Sequence, residues 1–490
     1  MTIKLKQDVL ASLPNGVAAP GYDRDALSAG IVHIGVGNFH RAHQAVYLDR
    51  LFSKGLDHDW ALIGAGVKPY DNVMREKLKG QDWLTTVIEL DPSGFSAQAV
   101  GSMIDFTEVD TQALIEVLLR PEIRIVSLTI TEGGYYVDAK SGGFDANHPE
   151  VRADIDNPGA PKTVFGILIL ALGLRRDNGI PPFTVLSCDN LPENGHVAKQ
   201  TVVGLARLMT PDLAGWIEAD VAFPNSMVDC ITPATSDREK AMVREKFGID
   251  DMAPVVCEPF RQWVMEDNFP AGRPRLEEVG VEFVSDVAPY ELMKLRLLNG
   301  GHAAIAYPSA LLGHHFVHDA MADPDIEAWL KTLIGRDVIP LIPEIPGIDF
   351  KAYLKTCAER FANPAVGDTI GRLCLDGSNR QPKFVLPSVR DALNQGSRVD
   401  ALALEVAFWC RYCAATADPG FGQPLEDERK DQLQAAGLKA RDNPQVFLAQ
   451  TDIFGNLGEH AEFAEAFAHH LNALWTDGTR ATLQAFLAKS

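Results

Sequence analysis

The sequence predicts an α/β N-terminal domain, a Rossmann-type doubly wound sheet, followed by a mostly α-helical C-terminal domain. Three observations predict it. Short apolar runs alternate with helical stretches from about residue 30 to 290, one of those runs feeds a Gly-x-Gly turn, and beyond Tyr290 helical periodicity takes over. Strands that are apolar throughout are covered on both faces, which is the habit of parallel sheets flanked by helices.

The strand-like runs, in order, are IVHIGVG (31–37), WALIGAGV (60–67), TTVIEL (85–90), IRIVSLTIT (123–131), FTVLSCDN (183–190) and VEFVSDV (281–287). Helical stretches stand between them at HRAHQAVYLDRLFSKG (40–55) and PKTVFGILILALGLRRDNG (161–179). A polar, turn-rich segment at 266–280 precedes the last run. Helical patterns such as DIEAWLKTLIGRDVIPLI and DALALEVAFWCRYCAATA then dominate. The expected division is a dinucleotide-binding domain over 1–285 and a helical substrate domain over 286–490. Repeats and low-complexity tracts are not visible.

A chain of 490 residues is long enough for two or three domains. It carries 45 basic and 66 acidic residues, a net charge of −21. Nucleic acid and anionic membrane surfaces are therefore excluded as expected partners. The longest nearly apolar run, Val164 to Leu174, is too short to cross about 30 Å of hydrocarbon. The first residues lack the apolar core of a secretory signal. Seven scattered cysteines, an odd number, read as reduced thiols and place the chain in the cytoplasm. Cys410 and Cys413 form a CxxC inside an apolar helix; with no second Cys/His pair to complete a zinc site, they read as packing residues.

In Ile31-Val-His-Ile-Gly35-Val-Gly37-Asn38-Phe39-His40 a strand runs into Gly-x-Gly and then a helix. Gly35 permits the tight turn, and Gly37 lets the backbone approach a pyrophosphate at the positive end of the helix opened by Asn38 and Phe39. The third motif position is His40 instead of glycine. His40 and His43 invite a metal reading, but an i,i+3 pair without a third ligand does not make a site. At the end of the second strand, Asp71 is placed to accept the ribose hydroxyls of NAD. Lys68 beside it would instead favour the extra phosphate of NADP, so the choice stays open with a lean to NAD. Glu132 ends a further strand-like run and is grouped with the cofactor-binding residues; a substrate contact, proton relay or helix cap are its other readings.

Two polar groups carry the expected chemistry. Lys294, Asn299 and His302 lie in an otherwise apolar stretch, and a continuous α-helix would set them within an arc of about 140°. Leu295 and Leu298 fall inside that arc. A buried lysine is pushed towards its neutral form and can take a proton, while asparagine amides donate hydrogen bonds to a developing alkoxide. The alternative is a solvated Lys294/Arg296 pair beside a packed histidine. Asn190 follows a strand at the end where open parallel sheets bind ligands, or else it shapes an Asx-turn. Asp229 likewise ends a strand-like run.

The stretches IVHIGVGNFHRAHQAVYLD, PEIRIVSLTITEGGYY, FTVLSCDNLPENG, FPNSMVDCITP, VVCEPFRQWVMEDNF and MKLRLLNGGH, with IPGIDF and DIFG later, resemble the polyol-specific long-chain dehydrogenase/reductase family over nearly the whole chain. The resemblance implies a Rossmann domain, a helical C-terminal domain and a metal-independent, zinc-free active site between them. It gives Lys294 the role of general base, Asn190 and Asn299 the cradling of the substrate oxygen, and His302 the orientation of substrate. It places Asp229 and Arg372 along the polyol chain and makes Glu291 a proton-relay carboxylate. The implied reaction is NAD-dependent oxidation of D-mannitol to D-fructose, with D-arabinitol and D-glucitol as further substrates. The family's fructuronate-reducing branch, which makes D-mannonate, is the alternative. DNLPENG with Glu193 and CEPFRQWV with Arg261 resemble that branch, whereas TITEGGYY, IPGIDF and Arg372 lean to the polyol branch. The expected partners are a small polyol or ketose, with a monomer or small homo-oligomer as the assembly.

Overall fold

The structure, a computed structural model, describes residues 2–138 and 141–489. The chain separates into two compact units, Met1–Ala288 and Pro289–Ser490.

The first unit is built on five parallel strands: β1 (Ala29–Ile34), β2 (Ala61–Ala65), β3 (Met103–Phe106), β4 (Ile125–Leu128) and β5 (Thr184–Ser187). Their order across the sheet is β3-β2-β1-β4-β5, with Val32 in register with both Ile63 and Val126. The chain therefore winds outward in two directions from β1, and a crevice is expected where β1 and β4 part at their carboxyl ends. Side chains alternate between two cores. Val32, Ile34 and Val126 face one core with Phe165, Leu168 and Leu172; Ile31, Leu62 and Ile125 face the other with Leu48, Leu51 and Phe52.

Two predicted strands belong to other sheets. Thr85–Glu89 pairs antiparallel with Ser96–Val100 and parallel with Val255–Cys257. Glu282–Val284 pairs with Gln262–Glu266, which runs antiparallel to Ser226–Asp229. An apolar run signals burial, not which sheet buries it. Strand β3 escaped prediction because it is an edge strand with an exposed Asp105. The helix expected over 40–55 is two, α1 (Asn38–Ala42) and α2 (Gln44–Ser53), broken at His43 where φ is −118° and ψ −89°.

The second unit is helical. Its centre is a helix over Asp400–Ala415, buried from Ala401 to Cys410. Cys410 and Cys413 lie fully inside, and burial pushes both thiols well up from their ordinary range. Among the described residues no helix is long and apolar enough to cross a membrane.

The same helix buries Glu405, whose Oε1 accepts from Gln381 Nε2 at 2.7 Å. Burial pushes its carboxyl up to about 8, so it folds protonated. The native state then holds a proton that the unfolded chain releases near pH 4.3. Its stabilisation is complete below that value and is lost as pH rises towards 8, by up to about 1.4 kcal/mol per unit. Glu405→Gln keeps a neutral side chain at every pH, so its melting temperature should fall less steeply than wild type between pH 5 and 8. Equal slopes in thermal melts would remove Glu405 as the cause.

Candidate functional site

The glycine turn separates two requirements. Gly35 has φ +98°, and a Cβ there would stand 2.1 Å from the Thr129 carbonyl oxygen, so β4 leaves room for glycine alone. Gly37 differs: φ is −90°, and a Cβ would meet nothing closer than the Gly35 oxygen at 3.9 Å. The protein does not itself need a glycine there. An open face beside the backbone is what close approach of a pyrophosphate demands.

In front of the turn lies a cleft of about 420 Å³, lined among others by Gly35, Gly37, Lys68, Tyr70, Asp71 and Thr131. Its walls come from the carboxyl ends of β1, β2 and β4, the position expected for a dinucleotide in this strand order. Asp71 opens α3 (Asp71–Lys79), and its Oδ2 accepts the N–H groups of Val67 and Lys68, both at 2.9 Å. The Lys68 ammonium pairs with Glu150 at 2.7 Å. Asn38 and Phe39 turn inward instead. The Asn38 amide donates to Thr235 Oγ1 at 3.1 Å, and the Phe39 ring stacks on His43 at 4.7 Å. Neither lines the cleft, and neither does the exposed Glu132. For Asn38 and Phe39 the motif marks the neighbourhood, while the side chains are engaged away from the cleft.

His40 explains the missing third glycine. Its ring lies flat on His33 of β1, centroids 3.5 Å apart, so helix and strand meet through two stacked rings. His33 Nδ1 bonds Ser127 Oγ at 2.8 Å, its Nε2 bonds Thr129 Oγ1 at 2.9 Å, and His40 Nδ1 bonds Gln44 Oε1 at 3.1 Å. Burial pushes both histidines down, His33 to about 3, so the stack is uncharged. Among the described residues no group of three His, Cys, Asp or Glu side chains is arranged to hold a metal ion.

Two residues that shape this region went unread in the sequence. Asp189, at the end of β5, accepts the N–H groups of Ile130 and Thr131 at 2.9 Å each and the Tyr135 hydroxyl at 2.7 Å. It thereby folds the loop that carries Thr131 at φ +63° into the cleft wall. Asn194 donates from Nδ2 to Ser226 O at 2.8 Å and to Ser187 O at 3.2 Å and accepts the Ser226 N–H at 2.9 Å, which ties β5 to the strand ending in Asp229. A buried Asp and Asn spaced five apart in DNLPEN were the available signal. Asp229 is buried and Asn190 exposed.

The second polar group occupies one helical passage. Ala288–Lys294 runs into a π-helical turn, Leu295–Asn299, and then into Gly300–Leu311. A π turn advances each residue by about 80° instead of about 100°. Asn299 therefore lies about 40° from Lys294, and His302 returns to within about 20° of it. The arc of 140° expected for a continuous α-helix contracts to about 60°, and Leu295 and Leu298 drop out of it. Glu291, Lys294 and His302 are buried. Arg296 is buried too, donating to Ser388 Oγ at 2.5 Å and Asp391 Oδ2 at 2.7 Å, so the solvated Lys/Arg reading does not hold.

Two atoms on this face lack protein partners among the described residues, Asn299 Oδ1 and His302 Nε2, both buried. An unmade hydrogen bond in such a place is costly, so a ligand's hydroxyls would be welcomed. The His302 ring rests on Phe361 at 4.2 Å. Burial first, then the nearby charges of Arg372, Arg360, Arg380 and Lys294, hold its pKa well below the ordinary imidazole value, so the ring is neutral. Arg372 is already gripped by Asp368, with Nε to Oδ1 at 2.5 Å and a second contact from Nη2. Arg261, in the first unit, is bound to the Ala42 carbonyl at 2.6 Å, to Glu89 at 2.5 Å and to Cys257 Sγ at 3.1 Å.

Residues 29–278 match the mannitol dehydrogenase Rossmann domain family, and residues 286–475 match the mannitol dehydrogenase C-terminal domain family. The chain belongs to the mannitol dehydrogenase family. A mannitol 2-dehydrogenase of Cereibacter sphaeroides is 54% identical over 97% of this chain and 100% of its own. Among solved structures, the Pseudomonas fluorescens mannitol 2-dehydrogenase in ternary complex with NAD and D-mannitol is 43% identical, with a TM-score of 0.85 over 100% of both chains. A D-sorbitol dehydrogenase in substrate-free form is 34% identical, with a TM-score of 0.91 over 98% of this chain and 100% of its own. The stacked His33 and His40 and the π turn after Lys294 are thus features of a mannitol dehydrogenase family member.

Proposed function

We propose that this protein is an NAD-dependent polyol 2-dehydrogenase interconverting D-mannitol and D-fructose. The observation that carries the reading is the face shared by Lys294, Asn299 and His302, with two buried polar atoms left for a ligand. Its histidine is neutral and its third member an amide, a set that suits hydroxyl groups better than a carboxylate. A uronate substrate would call on cations such as Arg372 or Arg261, and these are already paired with Asp368 and Glu89. The relatives called mannitol 2-dehydrogenase, and the Pseudomonas fluorescens complex with NAD and D-mannitol, support the same choice.

In this reading the Gly35–Gly37 turn, Lys68 and Asp71 hold NAD, which when bound supplies the hydride acceptor. Lys294 Nζ takes the proton of the C2 hydroxyl, and the Glu291 carboxylate passes it on. The amides of Asn190 and Asn299 donate to the oxygen as it gains charge, where a lost donor of this kind costs about 3 kcal/mol. His302 orients the polyol, and Asp229 and Arg372 contact its chain. D-Arabinitol and D-glucitol are the expected minor substrates; the likeness to a D-sorbitol dehydrogenase supports the second. Initial rates measured in parallel with D-mannitol, D-arabinitol, D-glucitol and D-mannonate test the reading. D-Mannitol should give the highest kcat/KM. Rapid oxidation of D-mannonate with none of D-mannitol would replace it with the fructuronate reading.

A further inference from the structure

We propose that Glu150 sets the dinucleotide preference of the cleft, by holding the Lys68 ammonium in an ion pair and so denying it to a 2′-phosphate. The inference rests on the reading of the cleft as a dinucleotide site and adds what discriminates between the two dinucleotides. Lys68 lies three residues beyond the end of β2, in the cleft wall with Asp71, the residue placed for the adenosine ribose. Asp71 Oδ2 accepts from two backbone N–H groups, one of them that of Lys68, and so anchors the main chain of Lys68. Its side chain would be the natural partner of a phosphate on that ribose.

That side chain is engaged. Glu150 Oε1 accepts from Lys68 Nζ at 2.7 Å, and Glu150 Oε2 accepts the Tyr136 hydroxyl at 2.7 Å. Both partners line the cleft, so the carboxylate is fixed at its edge from two sides. The same two hydrogen bonds hold its pKa below the ordinary carboxyl value, and Glu150 stays ionised through neutral pH. A 2′-phosphate arriving there, with a charge near −2, would meet a neutralised lysine and an anion within reach. Free ribose hydroxyls meet no such opposition. The pair is about half exposed, with side-chain exposures of 39% and 48%, so it adds little to stability and acts mainly on which ligand is admitted. A second cation, Lys77 on α3, also lines the cleft, so a test must tell the two lysines apart.

The test is calorimetric titration of the full-length protein with ADP-ribose and with its 2′-phosphorylated counterpart, which requires no turnover. Wild type should prefer ADP-ribose. In Glu150→Gln the preference should shift by about tenfold towards the phosphorylated probe, the equivalent of about 1.4 kcal/mol. In the double variant Lys68→Ala with Glu150→Gln that shift should vanish. An unchanged preference in Glu150→Gln overturns the proposal. So does a shift that survives in the double variant, since the phosphate would then be held by another group such as Lys77. Wild type that binds neither probe would sink the dinucleotide reading itself, and this proposal with it.

Discussion

Lys294→Ala is expected to lower kcat for D-mannitol oxidation by about 10³-fold while leaving the affinity for NADH unchanged. Proton removal by a positioned base contributes about 10²–10⁴-fold. Lys294 is buried at the start of the π turn and has Asn299 and His302 on its face. A small primary amine added to the variant should restore part of the rate, because it supplies the missing base without the tether. Stopped-flow measurement of NADH formation reads the chemical step, and fluorescence titration reads cofactor binding. A fall of less than tenfold, or no rescue by any amine, would remove Lys294 as the base.

The two glycines of the turn should fail in different ways. Gly35→Ala puts a Cβ 2.1 Å from the Thr129 carbonyl at a φ of +98°, so the turn or β4 must shift. The combined strain is on the order of 3 kcal/mol, and the melting temperature should fall by roughly 5–10 °C. At Gly37 a Cβ meets nothing closer than 3.9 Å and φ is negative, so Gly37→Val should leave melting nearly unchanged. Its side chain would instead fill the open face beside the turn, and the dissociation constant for NADH should rise by about 100-fold or more. Melting curves and titrations of both variants check this. A Gly37→Val protein that binds NADH normally would refute the placement of the cofactor against the turn.

The contrast shows what local sequence can and cannot carry. Gly35 and Gly37 were readable because a tight strand-to-helix turn is a property of a few consecutive residues. The face of Lys294 and His302 was readable from spacing, but only on the assumption of an α-helical period. The π turn at Leu295–Asn299 tightened that face and removed two leucines from it. Asn38 and Phe39 show a different limit: the motif located the cleft, while which way their side chains are engaged depended on Thr235 and His43. Arg261 stands in a stretch that resembles the fructuronate-reducing branch, and nothing local in that stretch reveals its partners Ala42, Glu89 and Cys257.

By itself the sequence determined the class of fold, the glycine turn, the polar stretch around Lys294 and the family resemblance. Each depends on residues close together in the chain, where periodicity and steric limits act directly. Only the tertiary structure decided strand order, the use of Asp189 and Asn194 as struts, and the pairing of Lys68 with Glu150. Those partners lie tens of residues apart, 82 in the case of Lys68 and Glu150, and no local pattern encodes which of many carboxylates the fold will bring to a given lysine. Chain topology makes that choice, because a side chain's charge is legible in sequence while its neutralisation depends on what folds beside it.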